Sequence, residues 1–184
     1  MITDNQIDKL PESALQDITL PELVRLIADS STEHRQKAMD LVLMVGLKVC
    51  LPILENAVRN DSDANLRNGA MEALVAFGEM AVPHLTKLLT DDNEEVRNFS
   101  AVMLGDIGNP KAVAALVAAL EDAEANVRHG AAEALAKIGD YRAVPPLQKM
   151  LKGDFWDHFY ADAALQMLAG RVVNSTRAFQ KAAN

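Results

Sequence analysis

Cys50 is the sole cysteine, so the chain cannot close an internal disulfide, which suits a reducing compartment. Aromatic residues are scarce, with five Phe, two Tyr and one Trp in 184 residues. Runs of β-branched and aromatic residues are missing, which argues against a sheet. No apolar stretch approaches the ~18 residues of a membrane span. The opening MITDNQIDKLPES is polar and acidic and does not read as a signal peptide, so a cytoplasmic location is expected. Cations are outnumbered, 18 Lys and Arg against 26 Asp and Glu, giving a net charge of −8. A general nucleic-acid binder needs a basic face to neutralise phosphates, and this chain does not concentrate one. Phosphate-binding glycine loops and nucleophile motifs are absent too, so no catalytic residue and no cofactor is expected.

What the chain does have is a repeat. LRNGAMEALVAFG at 66–78, VRNFSAVMLGDIG at 96–108 and VRHGAAEALAKIG at 127–139 follow one template. HRQKAMDLVLMVG at 34–46 and DHFYADAALQMLA at 157–169 follow it more loosely. The arginine column runs Arg35, Arg67, Arg97, Arg128 and ends on His158, with spacings of 32, 30, 31 and 30 residues. A fixed period in this range marks a solenoid. Three positions after the arginine stand Ala38, Ala70, Ser100, Ala131 and Ala161. Leu41 and Val42, Ala73 and Leu74, Met103 and Leu104, Ala134 and Leu135, and Ala164 and Leu165 occupy the sixth and seventh positions. Val45, Phe77, Ile107, Ile138 and Leu168 take the tenth. Offsets of three, seven and ten place one apolar stripe on a helix. Gly46, Gly78, Gly108 and Gly139 then close it, since glycine takes the left-handed cap conformation cheaply. In the fifth copy Ala169 holds that slot and Gly170 follows.

A second apolar run follows: CLPILENAV at 50–58, AVPHLTKLL at 81–89, AVAALVAAL at 112–120 and AVPPLQKML at 143–151. Pro52, Pro83 and Pro145 lie near its front, in keeping with a helix's first turn. Each repeat is thus predicted as a short helix, a glycine turn and a second short helix. Neither helix is long enough to be stable alone, so neighbours must stack into a continuous core. The V-R-x-x-A-x-x-A-L-x-x-I-G string followed by A-V-P-x-L resembles the short HEAT-like repeats of the phycobilisome-lyase type. The resemblance covers roughly residues 31–170. It implies an all-α, right-handed α-solenoid of about five helix pairs with a ~31-residue period.

The organisation expected is an N-terminal helical cap over 1–30 with a flexible start, an array over 31–170, and a helical tail over 171–184. The copies fall at about 31–60, 61–90, 91–121, 122–152 and 153–170. Leu20–Ala28 carries a helical pattern, with Thr19 and Glu22 in capping-box spacing and Pro21 in the first turn. The fifth copy lacks the Ala-Val-Pro-x-Leu run, so the end reads either as a diverged cap or as part of a longer array.

Asp61, Asp91 and Asp122 each stand six residues before a repeat arginine. They read either as a ladder gripping a charged ligand or, preferably, as turn residues whose arginines bond to neighbouring loops and carboxylates. Cys50 shares a column with Ala81, Ala112 and Ala143 and so reads as a buried small residue. Deoxyhypusine hydroxylases, a related family, build a di-iron site from His-Glu pairs on repeat helices. Here His129 is followed by Gly130, no His-Glu dipeptide occurs, and His34, His84, His129 and His158 are scattered over the repeats. No metal site is expected.

Two departures from regularity mark candidate surfaces. In the resembled family the second helices line a concave face. Its outward columns here read Glu55, Thr86, Val117 and Gln148, then Asn56, Lys87, Ala118 and Lys149, beside Ile53, His84, Ala115 and Pro146. The third copy alone is apolar throughout, either a floor for a partner or a tightly packed alanine-rich helix. Second, FWDHFY at 155–160 gathers four aromatics in six residues. Trp156 and Tyr160 suit a recognition edge. Alternatively, Trp156 replaces the usual valine and packs over the fourth copy.

The function expected is a non-catalytic scaffold or adaptor binding a protein partner on the concave face, with Ile53, Asn56, His84, Lys87, Ala115, Val117, Ala118 and Lys149 as contacts. The lyase resemblance implies an alternative, a bilin lyase or chromophore-handling subunit. There Lys87 or Lys149 would meet the propionates and Trp156 or Tyr160 would stack on the tetrapyrrole. A regulatory segment of a larger multidomain protein is a third reading.

Overall fold

The computed structural model describes residues 19–28, 32–60 and 62–182, and for 32–34 and 172–182 the backbone alone. The start of the chain, Asp61 and the His34 side chain lie outside the described residues. The described residues are helical, without strand. The chain divides into two compact units, Met1–Ala81 and Val82–Asn184.

The first unit holds α1 (Leu20–Ile27), α2 (Thr32–Val45), α3 (Leu47–Val58), α4 (Ala64–Ala76) and a 3₁₀ turn at Gly78–Ala81. Pro21 sits in the first turn of α1. The Thr19 N–H and Oγ1 both donate to Glu22 Oε2, at 3.0 and 2.7 Å, which anchors the helix start. The apolar face of α1 buries Leu23, Val24 and Ile27 as the helix packs on α2 and α4. Gly69 makes this approach possible, because a Cβ there would stand 1.8 Å from the Val24 carbonyl oxygen. Asp63 caps α4 by accepting from the Leu66 N–H at 2.9 Å.

The first copy departs from its template. Gly46 joins α2 directly to α3, with φ 89° and ψ 149°, a region open essentially to glycine. It is not the left-handed cap expected. Because α3 starts at Leu47, Pro52 falls inside the helix rather than in its first turn. Val45, an apolar-stripe position, is left 44% exposed.

The second unit holds α5 (Val82–Leu88), α6 (Glu94–Ile107), α7 (Val113–Ala119), α8 (Ala125–Ile138), α9 (Val144–Met150) and α10 (Phe155–Ala182). The 3₁₀ turns Pro110–Ala112 and Tyr141–Ala143 precede α7 and α9, opened by Asn109 and Asp140, whose side chains accept backbone N–H bonds. Here the template holds. Gly108 and Gly139 close α6 and α8 in the left-handed conformation. Pro145 lies in the first turn of α9. The template columns Ser100 and Ala131, Met103 and Ala134, and Leu104 and Leu135 are fully or almost fully buried.

The first-type helices α6, α8 and α10 pack side by side, and α5, α7 and α9 lie against them. The α6–α8 contact is backbone-close: a Cβ on Gly105 would come within 2.7 Å of Ala134 Cα. The fifth copy does not close at Ala169–Gly170. The helix runs on to Ala182, and Gly170 does not take a positive φ. Arg171 turns back onto α8, its Nη2 donating to the Lys137 carbonyl at 2.7 Å and its Nη1 to the Ile138 carbonyl at 3.4 Å. It thereby satisfies carbonyls that a helix end leaves open.

Candidate functional site

The arginine column builds geometry. Arg97 Nη1 donates to the Asp91 carbonyl at 2.9 Å, six residues back in its own copy. Its Nε and Nη2 reach forward to both carboxylate oxygens of Asp122, at 2.8 and 2.9 Å. Arg128 repeats the first contact on the Asp122 carbonyl at 3.1 Å. Asp122 thus offers its backbone to its own copy's arginine and its carboxylate to the previous one. The paired guanidinium holds the Asp122 carboxyl below the usual carboxylate range, helped by the Glu124 N–H. In the first unit Arg67 Nη1 donates to the Asn60 carbonyl, seven residues back, at 3.5 Å. Asp91, Asp122, Arg97 and Arg128 therefore bond to one another, in keeping with the turn reading, while Asp61 lies outside the described residues.

The ladder's last rung was not legible in the sequence. Arg128 donates through Nε to Asp157 Oδ1 and Oδ2, at 3.0 and 3.2 Å. Asp157 occupies the column of Leu66, Val96 and Val127, and like them it is buried. The register of the fifth copy, 157–169, puts Asp157 and not Trp156 in the valine position. Trp156 is 57% exposed and meets Phe155 and Phe159 edge to face. A carboxylate in an apolar column demands a buried cation, and that was the available signal. His129 completes the cluster, with Nε2 3.1 Å from Asp157 Oδ1 and its ring stacked on Tyr160 at 4.3 Å between centroids.

His129, Asp154 and Asp157 have potential metal-ligand atoms within 4.8 Å of one another. The Arg128 guanidinium already binds Asp157 and stands 3.7 Å from Asp154 Oδ2, so this cluster holds a fixed cation of its own. Cys50 is fully buried, as are Ala81, Ala112 and Ala143 in its column, and burial pushes its thiol pKa up.

The second-helix candidates divide between the units. Ile53 is half-buried and Asn56 exposed on α3 of the first unit. In the second unit α5 carries half-buried His84 and exposed Lys87, α7 half-buried Ala115 and Val117 and exposed Ala118, and α9 exposed Lys149. Helix α7 is VAALVAA, with no polar side chain, yet Ala114 and Ala118 face solvent. Lys149 Nζ pairs with Glu121 Oε1 at 2.9 Å. Of the residues named for a bilin, Lys149 and Tyr160 therefore already have partners within the chain.

The phasing of arginine, small residue, leucine and glycine, realised as these packed helices, defines a helical-repeat protein. A sequence model described as HEAT repeats matches residues 20–103 and 82–169, and the chain belongs to this family. Among solved structures, the complex of CpcE and CpcF of phycocyanin lyase from Nostoc sp. PCC7120 is similar, at 22% identity over 90% of this chain and 70% of that one, with a TM-score of 0.54. Human deoxyhypusine hydroxylase in complex with glycerol is 22% identical over 82% of this chain and 62% of that one, with a TM-score of 0.56. A designed armadillo repeat protein in complex with the peptide (KR)4 is 21% identical over 90% of this chain and 86% of that one, with a TM-score of 0.51. At these identities the likeness is one of fold. Among curated protein sequences none matches the chain. No helix among the described residues is long and apolar enough to cross a membrane.

Proposed function

We propose that the protein is a non-catalytic interaction module that binds a protein segment on the exposed face of α5, α7 and α9. The observation that carries this reading is α7. A helix without polar side chains is ordinarily buried all round. This one turns Ala114 and Ala118 to solvent, while the flanking helices expose Lys87, Gln148 and Lys149. The result is a low apolar strip with polar neighbours, where a partner's apolar side chain, once buried, would contribute about 1.5–3 kcal/mol. His84, Ala115 and Val117 border the strip, and Lys87 supplies a cation for a partner's carboxylate. The designed armadillo repeat protein that holds a peptide supports peptide recognition on this architecture.

The test compares affinity capture from the source cell by the natural chain and by Ala118→Glu, a substitution at an exposed position. The expected outcome is that a partner retained by the natural chain is lost from the variant while helicity is unchanged. Undiminished retention of every partner would remove this face from the binding surface.

A further inference from the structure

A groove of about 200 Å³ runs between α8 and α10, on helices of the first type. Buried Ala136 and Ala164 and half-buried Tyr160 form its base, and exposed Phe159 and Met167 its rim. Phe155, Trp156 and Phe159 continue the apolar surface through edge-to-face contacts at 5.2 and 6.0 Å. Four side chains of this edge are at least half exposed: Phe155 at 74%, Trp156 at 57%, Phe159 at 53% and Met167 at 50%. In a chain with eight aromatics this is a marked concentration.

Charge at the groove has one free sign. Lys137 lines it, but its ammonium is held by Asp106 at 2.6 Å. Glu133 lines it too and has no hydrogen-bond or ion-pair partner among the described residues. Asp162 stands on the exposed side of α10, met only by the neutral amide of Gln166 at 2.6 Å. Of the charges that line the groove, the unpaired one is therefore a carboxylate; exposed Lys152 precedes the aromatic edge in the sequence and is not among the lining residues.

From this juxtaposition we infer that the α8–α10 groove binds a basic amphipathic segment of a protein partner. One aliphatic side chain enters between Phe159 and Met167. A neighbouring lysine or arginine pairs with Glu133 and lies against the Trp156 and Phe159 rings, where ring faces attract cations. The groove is smaller than the roughly 300–1,000 Å³ of small-molecule pockets, which favours a single anchoring side chain over a free ligand. Nucleic acid and anionic lipid would be repelled by Glu133 and Asp162. A second copy of the chain carries a net charge of −8 and makes a poor match for an acidic groove. The surface is distinct from the α5, α7 and α9 face.

Trp156 is the sole tryptophan, so its emission reads this edge directly. The full chain is titrated with a short amphipathic peptide of leucine and lysine, and separately with the same peptide carrying glutamate for lysine. The lysine peptide is expected to shift the emission saturably and the glutamate peptide to leave it unchanged. Glu133→Gln is expected to weaken the lysine peptide about tenfold, as for loss of one charge pair. Met167→Asp is expected to abolish binding with the circular dichroism spectrum preserved. Ala118→Glu, on the other face, is expected to change nothing, which separates failure here from failure of the α7 reading. Equal response to the two peptides, or full affinity in both Glu133→Gln and Met167→Asp, overturns the proposal. So does a concentration-dependent dimer of the free chain that Met167→Asp dissolves, since the occupant would then be a second copy.

Discussion

Arg128 and Asp157, 29 residues apart, form a forked ion pair whose side chains are only 17% and 12% exposed. It ties α8 to α10 while Arg97 and Asp122 tie α6 to the turn before α8. Such pairs matter less for their net energy than for what happens when one partner is removed.

Asp157→Asn should therefore destabilise the chain by about 2–4 kcal/mol, a little under the loss for a fully buried pair. Arg128→Met should lose a similar amount. Because each change removes the same contact, the double variant should fall short of the sum by at least ~1 kcal/mol in urea unfolding. Strict additivity would mean that the pair contributes no coupling.

The Asp122 carboxyl is held below its unfolded value by the Arg97 guanidinium. Its contribution to stability is thus complete above the unfolded pKa of about 3.9 and is lost as pH falls through the lower folded value. Urea midpoints should be insensitive to this group near neutrality and should drop in acid below about pH 4. Asp122→Asn should lower the midpoint at neutral pH and flatten the acid limb. A variant with the natural acid slope would contradict this assignment.

Two glycine substitutions should move in opposite directions. Gly69→Ala drives a Cβ into the Val24 carbonyl and should destabilise by about 1–3 kcal/mol, with earlier proteolysis at α1. Gly170 lies inside α10 with nothing within 4 Å of a built Cβ, so Gly170→Ala should stabilise by about 0.5–1 kcal/mol. Thermal unfolding of the two variants reads both signs.

Cys50 is fully buried, and burial disfavours its thiolate. A thiol reagent such as dithionitrobenzoate should leave it unmodified in the folded chain and react with it fully in denaturant. Cys50→Ala, matching Ala81, Ala112 and Ala143, should leave the fold intact. Fast labelling under native conditions would show that this column opens.

The repeat was legible because its signal is periodic. Apolar residues at fixed offsets, with glycine after them, produced the helices α6 and α8 much as expected. The first copy was misread where one residue mattered: Gly46 admits a direct joint, which shifts the start of α3 and moves Pro52 inward. In the fifth copy Ala169 holds the cap slot and the helix passes on through Gly170, which can end a helix or sit within one, with nothing local to force the choice. The face proposed on α7 could be chosen from its composition. The α8–α10 groove could not, since Glu133, Phe159 and Met167 come together only through the packing of two helices.

Arg171 capping the end of α8 has a practical consequence. Boundaries drawn where the motif begins and ends do not divide this chain into detachable parts, because one copy's last carbonyls are finished by a guanidinium 33 and 34 positions further on. Anyone trimming the chain at 170 to isolate the array would fray a helix that the cut never touched.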